Sequence, residues 1–334
     1  MSTESDPRFR LAASQVLEER ATQISVLAKG VLDVTETGAA DELWLASRRL
    51  RAALEVFRSC FGRAQYREGR AEARRISRAA GARRDIDVVI AAYESVGEET
   101  APAESEGIDR VISSLRREQA SANRALAQVV HGRRLQAFRV RIEEIADSAV
   151  EADAADRAHD YRPVETLTPE AIALISKRLA RLRKEAVDSL DPEGVDAQHR
   201  LRVAAERLRY SLELTGDALG SQAHTARRAA RGLQEVLGEM RDCDLAVPPA
   251  RQAITDLEAE DVKTIIDRAR GSRDLDPILV QAAPNRAAYR GLELAVVHMT
   301  ARRQMLYERF KRLWHEQSRQ GVWVALETSL KVES

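Results

Sequence analysis

The stretch His199-Arg-Leu-Arg-Val-Ala-Ala-Glu-Arg-Leu-Arg209 decides the fold. At 100° per residue, Leu201, Ala205, Leu208 and Leu212 fall within about 60° of one another, an apolar stripe along one side of a helix. With His199 as zero, Arg202, Glu206 and Arg209 project at about −60°, −20° and −80°, so His199, Arg202 and Arg209 form a ridge away from that stripe. The same helix occurs 158 positions earlier as Asp41-Glu-Leu-Trp-Leu-Ala-Ser-Arg-Arg-Leu-Arg51. There Asp41, Trp44, Arg48 and Arg51 take the equivalent ridge, and Arg49 and Arg207 point to its flank. A second pair, Gly81-Ala-Arg-Arg-Asp85-Ile-Asp87 and Gly238-Glu-Met-Arg-Asp242-Cys-Asp244, is displaced by 157. Two markers in register indicate an internal repeat, two supersecondary units of one architecture.

Around these markers nearly every segment has a 3.6-residue period, and no alternating Val/Ile/Thr run suggests a strand. The expectation is an all-α protein of two pseudo-symmetric helical bundles, about four to five helices each. Residues 1–10 read as a flexible tail, 11–152 as the first bundle, 153–168 as a linker, 169–320 as the second bundle and 321–334 as a C-terminal tail. Thr168-Pro169 is an N-cap followed by proline at the first helical position. Gly81 and Gly238 are read as helix stops, with a new helix starting near Asp85 and near Asp242, and Pro248-Pro249 as the end of the latter. A long helix spans about Arg286 to Arg319.

The formal net charge is zero, yet 47 of the 53 basic residues are arginine. Residues 41–90 carry twelve arginines, Arg74 among them, against seven acids. Guanidinium groups stacked on adjacent helices repel unless an anion lies between them, and their paired N–H donors match two phosphate oxygens. His199 adds a donor and, when protonated, another charge. The competing reading pairs these arginines with Glu42, Glu55, Glu72, Asp85 or Asp87 on solvated helix faces. Further basic residues, His131, Arg133, Arg134, Arg139 and Arg141, would extend the basic surface, with Arg302, Arg303, Arg309, Lys311 and Arg312 as the corresponding set at the end of the chain; the solvated-face reading applies equally to them.

The motif His199, Arg202, Arg207-Leu-Arg209-Tyr210, then Leu233-Gln-Glu-Val-Leu-Gly238 and Asp242-x-Asp244, resembles the CHAD domain, the histidine-containing α-helical domain. The first copy matches through Arg48-Arg-Leu-Arg51, Gly81 and Arg84-Asp85-x-Asp87, and the resemblance spans about residues 11–320. It implies two four-helix bundles around a basic channel for inorganic polyphosphate, in the cytoplasm at polyphosphate granules and with granule proteins as further partners. The residues assigned to polyphosphate are Arg48, Arg49, Arg51, Arg74, Arg134, Arg139, His199, Arg202, Arg207 and Arg209. Three positions depart from the pattern: Asp41 replaces the first-copy histidine, Trp44 the arginine three residues on, and Glu206 a basic residue seven after His199. Each removes a cation, which implies weaker or narrower binding.

No catalytic constellation is visible: the six histidines are scattered and no Gly-rich phosphate loop is present. The Asp pairs at 85/87 and 242/244 are too poor in oxygen ligands for a metal and read as structural. No catalytic residue, metal or cofactor is therefore assigned. Nucleic acid is disfavoured, since no stacking aromatics accompany the arginines. No run reaches the roughly 18 apolar residues of a membrane span, and Cys60 and Cys243 read as free thiols in a reducing cytoplasm. The alternative function is a helical scaffold for protein partners whose phosphate site has decayed.

Overall fold

The computed structural model describes residues 7–36, 38–150 and 167–332, of which the chain is 86% helical with no strand among them. The helices are α1 (Pro7–Leu27), α2 (Ala39–Val56), α3 (Arg63–Glu98), α4 (Glu106–Val130), α5 (Gly132–Val150), α6 (Pro169–Asp188), α7 (Val195–Arg268), α8 (Pro277–Gln281), α9 (Arg286–Arg319) and α10 (Val322–Val332), with a 3-10 turn at Arg58–Cys60. The all-α reading holds. All but the last two residues of the expected 153–168 linker lie outside the described residues; the expected cap is present, with the Thr168 hydroxyl accepting the Ala171 amide at 3.2 Å and Pro169 opening α6.

The chain divides into two compact units. Unit 1 comprises Met1–Arg84, Ala122–Gly238 and Tyr307–Ser334; unit 2 comprises Asp85–Ser121 and Glu239–Leu306. The division falls inside α3, α4, α7 and α9, so each unit draws on both halves of the sequence. Unit 1 buries Leu17 and Ile24 of α1, Leu43, Leu50 and Leu54 of α2, Ile76 of α3 and Phe138, Ile142 and Ile145 of α5 in one core. Leu201, Ala205, Leu208 and Leu212 are fully buried, so the stripe that opened the sequence reading is the core face of α7. Unit 2 packs Val89, Tyr93 and Val96 against Ile108, Val111 and Leu115 of α4, Leu257 of α7, and Leu292 and Met299 of α9.

Three local expectations are corrected. Gly81 does not stop a helix: α3 runs through it, and since a Cβ there would lie 3.0 Å from the Trp44 ring, the glycine serves to admit the indole. Gly238 likewise lies inside α7, so neither Asp85 nor Asp242 begins a helix. Pro248 and Pro249 do not end α7 either. The Tyr93 hydroxyl donates to the Ala246 carbonyl at 2.6 Å and takes the Ala250 amide, standing in the backbone ladder where the prolines disrupt it. The real break in α7 is Gly220, at φ 71°, a conformation only glycine adopts cheaply.

The two expected tails are also partly helix. Phe9 of α1 is buried at the N-terminal end. At the other, α10 buries Val322, Trp323, Leu326 and Leu330, and its Glu327 accepts Arg183 of α6 at 2.5 Å.

Candidate functional site

Within unit 1, α6 and the first turns of α7 enclose a groove of about 740 Å³. On α6 the buried row Ile172, Ile175, Leu179, Leu182 and Ala186 faces the core, which leaves Lys177, Arg181 and Lys184 on the opposite side. The core stripe of α7 in turn directs His199, Arg200, Val203 and Arg207 to the groove, and Glu55 of α2 closes one wall. Six cations and one carboxylate thus line it.

The cations differ in how they are held. Arg178, almost fully buried, donates to the Glu55 carboxylate, to the Ser211 hydroxyl and to the Arg207 carbonyl at 3.1 Å. Burial pulls its guanidinium down and Glu55 works the other way. Arg181 and Arg200 both reach the buried Glu185, the latter at 2.8 Å. Lys177, Lys184 and Arg207 are exposed and have no carboxylate partner among the described residues.

His199 of the ridge selected from sequence lines this groove; the ridge's Arg202 and Arg209 lie beside it on the other flank of α7, where the arginines are largely engaged. Glu206 is 1% exposed and pairs with Arg48 and, at 3.8 Å, with Arg202. The Trp44 ring has Arg48 at 4.6 Å, Arg84 at 5.7 Å and Arg202 at 5.9 Å from its centroid, all within cation–π range. Asp41 holds Arg84 at 3.2 Å. Two of the three departures thus engage arginines of the ridge, Glu206 by ion pairing and Trp44 through its ring, and the third, Asp41, engages Arg84 of α3. Arg49 is drawn to Glu213 at 3.3 Å, and Arg209 stacks on Tyr210 at 4.5 Å. Burial, followed by the Glu206 charge, pushes the Tyr210 phenol up to about 12.

Arg51 joins the two regions. It is half-buried, and burial lowers its pKa; Glu55 opposes this, while Arg48, Arg70 and Arg207 add to it. A guanidinium with three cationic neighbours is where an external anion gains most. Arg74 lies exposed on α3 one turn beyond Arg70, Arg134 is exposed on α5, and Arg139 forms a surface pair with Glu143 at 2.6 Å. The structure thus brings together Arg48, Arg51, Arg202 and Arg207 with His199 nearby, and leaves Arg134 and Arg139 on the solvated face.

Sequence reasoning missed the α6 cations. A usable signal existed: the chain has six lysines, and two of them, Lys177 and Lys184, stand seven residues apart on one helix. Among the described residues no group of three or more His, Cys, Asp or Glu side chains could hold a metal ion, and no helix is long and apolar enough to cross a membrane.

The chain matches the family model of the CHAD domain over residues 15–248. It is similar in fold to the crystal structure of the CHAD domain from the plant Ricinus communis, with a TM-score of 0.55 at 19% identity, covering 85% of this chain and 91% of that one. PptA from Streptomyces chartreusis is similar at a TM-score of 0.51 and 19% identity, covering 91% of this chain and 98% of that one. None of the curated proteins matches.

Proposed function

The chain belongs to the CHAD domain family, and on that premise we propose that it binds inorganic polyphosphate, without catalysis, along the α6/α7 groove of unit 1. The observation that carries the reading is the trio Lys177, Lys184 and Arg207, three exposed cations on one groove, none of them ion-paired among the described residues. Lys177 and Lys184 lie about 10 Å apart along α6 at 1.5 Å per residue, a span that suits several linked phosphates better than one. The arginines behind them, Arg178, Arg181 and Arg200, are held by Glu55 and Glu185, so their donors are already oriented. Of the residues picked from sequence, His199, Arg207 and Arg51 belong to this site. Association with polyphosphate granules in the cytoplasm, and with proteins there, follows as part of the same proposal, as does the arrangement of the two sequence repeats as matched bundles around the basic surface.

Binding of a linear polyanion releases counterions, so affinity falls with salt in proportion to the charges neutralised. The variant Lys177→Ala/Lys184→Ala/Arg207→Ala is expected to lose about 100-fold in affinity for long-chain polyphosphate at moderate salt, with a log–log salt slope shallower by about two to three. Titration calorimetry across a salt series measures both. Wild-type affinity in the triple variant would remove the groove from the site.

One observation favours the second reading, a scaffold with a decayed site: Glu206, Asp41 and Trp44 take up Arg48, Arg84 and Arg202. It expects no polyphosphate binding at physiological salt together with a stable protein partner.

A further inference from the structure

We propose that Glu206 is a specificity-determining residue, an internal anion that closes the arginine ridge to polyphosphate and confines the bound chain to the groove. This rests on the reading of the groove as the polyphosphate site. On α7 the groove residues His199, Arg200, Val203 and Arg207 span about 0° to 100°, whereas Arg202, Glu206 and Arg209 span about −20° to −80°. The two strips are adjacent on the helix, and Arg51 of α2 feels the charge of Arg207 on the groove strip as well as that of Arg48, which pairs with Glu206. Cations therefore run continuously from the groove to the ridge.

The path ends at Glu206. Its carboxylate is 1% exposed and is flanked by Arg48 and Arg202. A buried carboxylate is costly unless paired, so Arg48 is drawn inward onto it, and Arg202, 12% exposed, stands 3.8 Å away. The Trp44 ring supports the same two arginines from the other side, seated against Gly81. A phosphate entering this strip would have to displace Glu206 from Arg48 or lie beside a like charge in a poorly solvated place, and either is unfavourable. The groove accepts a short run of phosphates, and the remainder of a long chain stays in solvent.

The consequence is a ceiling on length dependence. Wild-type affinity should rise little between chains of about 10 and about 100 phosphates beyond the statistical gain from more binding frames. Glu206→Gln keeps the shape and removes the charge, and should bind the long chains at least ~10-fold more tightly than wild type at the same salt while changing the short-chain affinity less than about threefold. Asp41→Asn, on a partly exposed residue, provides a variant that leaves the buried pair intact; it removes a negative charge beside the Trp44 ring and the ridge, and should give a smaller gain of the same kind. Circular dichroism of each variant checks that it is folded.

Equal affinity of Glu206→Gln, Asp41→Asn and wild type at every length overturns the proposal while leaving the groove reading intact. Wild-type affinity in the groove triple variant overturns the groove reading separately. Absence of binding in wild type and both ridge variants overturns both.

Discussion

The two units carry grooves of equal size and opposite sign. The unit 1 groove, about 740 Å³, is lined by six cations and one carboxylate; that of unit 2, also about 740 Å³, has Glu106, Asp109, Glu118, Asp256 and Glu260 against Arg110 and Arg117. The contrast extends to the whole units: 40 cations and 33 carboxylates in unit 1, 13 and 20 in unit 2. Zero net charge thus conceals a segregation that composition cannot reveal. In unit 2 several arginines are paired locally: Arg110 with Glu106 and Glu260, Arg302 with Glu239, Arg303 with Asp244 and Arg290 with Glu104. A basic helix face offers uncommitted charge to a ligand only where neighbouring carboxylates do not take it up.

The harshest way to break this comparison is to damage unit 2 and ask whether unit 1 still binds. A Cβ on Gly291 would overlap the Glu104 carbonyl, a backbone atom that cannot step aside cheaply. Gly291→Ala should destabilise unit 2 by ~3 kcal/mol or more, at the upper end for overpacking. Hydrogen exchange should report the loss in α4 and α9 of unit 2, while polyphosphate affinity stays within about twofold of wild type. A parallel loss of affinity would show that the ligand site is not confined to unit 1.

What could be read from sequence separates along the same line as local and tertiary causes. The core stripe of α7, the Thr168 cap and the span of α9 depend on neighbours a few residues away, and all three are as expected. Gly81 and Pro248-Pro249 depend on partners from other segments, the Trp44 indole and the Tyr93 hydroxyl, and local rules assigned both wrongly. The site divides likewise. Helical periodicity put His199, Arg202 and Arg209 on one face, but it could not tell that Arg202 meets Glu206 and Trp44, or that Lys177 and Lys184 meet no carboxylate among the described residues.

A milder test keeps to unit 2. Tyr93→Phe removes the hydroxyl that spans the helix at Pro248-Pro249 and leaves the Ala246 carbonyl and the Ala250 amide without that partner. An unsatisfied buried polar group costs about 1–3 kcal/mol, and the phenylalanine ring keeps the packing. Denaturant unfolding should shift by that amount, with the salt dependence of polyphosphate binding unchanged.

The smallest effect sharpens the comparison from the unit 1 side. The Tyr210 phenol is raised from 10 to about 12, by burial first and by Glu206 next. The protonated form is favoured by folding, so this contribution is complete below pH 10 and is lost as pH rises from 10 through 12. At pH 11 the loss is about 1 kcal/mol. Tyr210→Phe should therefore flatten the alkaline limb of the stability curve between pH 10 and 12. Combining it with Glu206→Gln should add little to that flattening beyond Tyr210→Phe alone, because the carboxylate acts on the titration only through the phenol. An additional change in the double variant would show that Glu206 influences another group titrating in the same range.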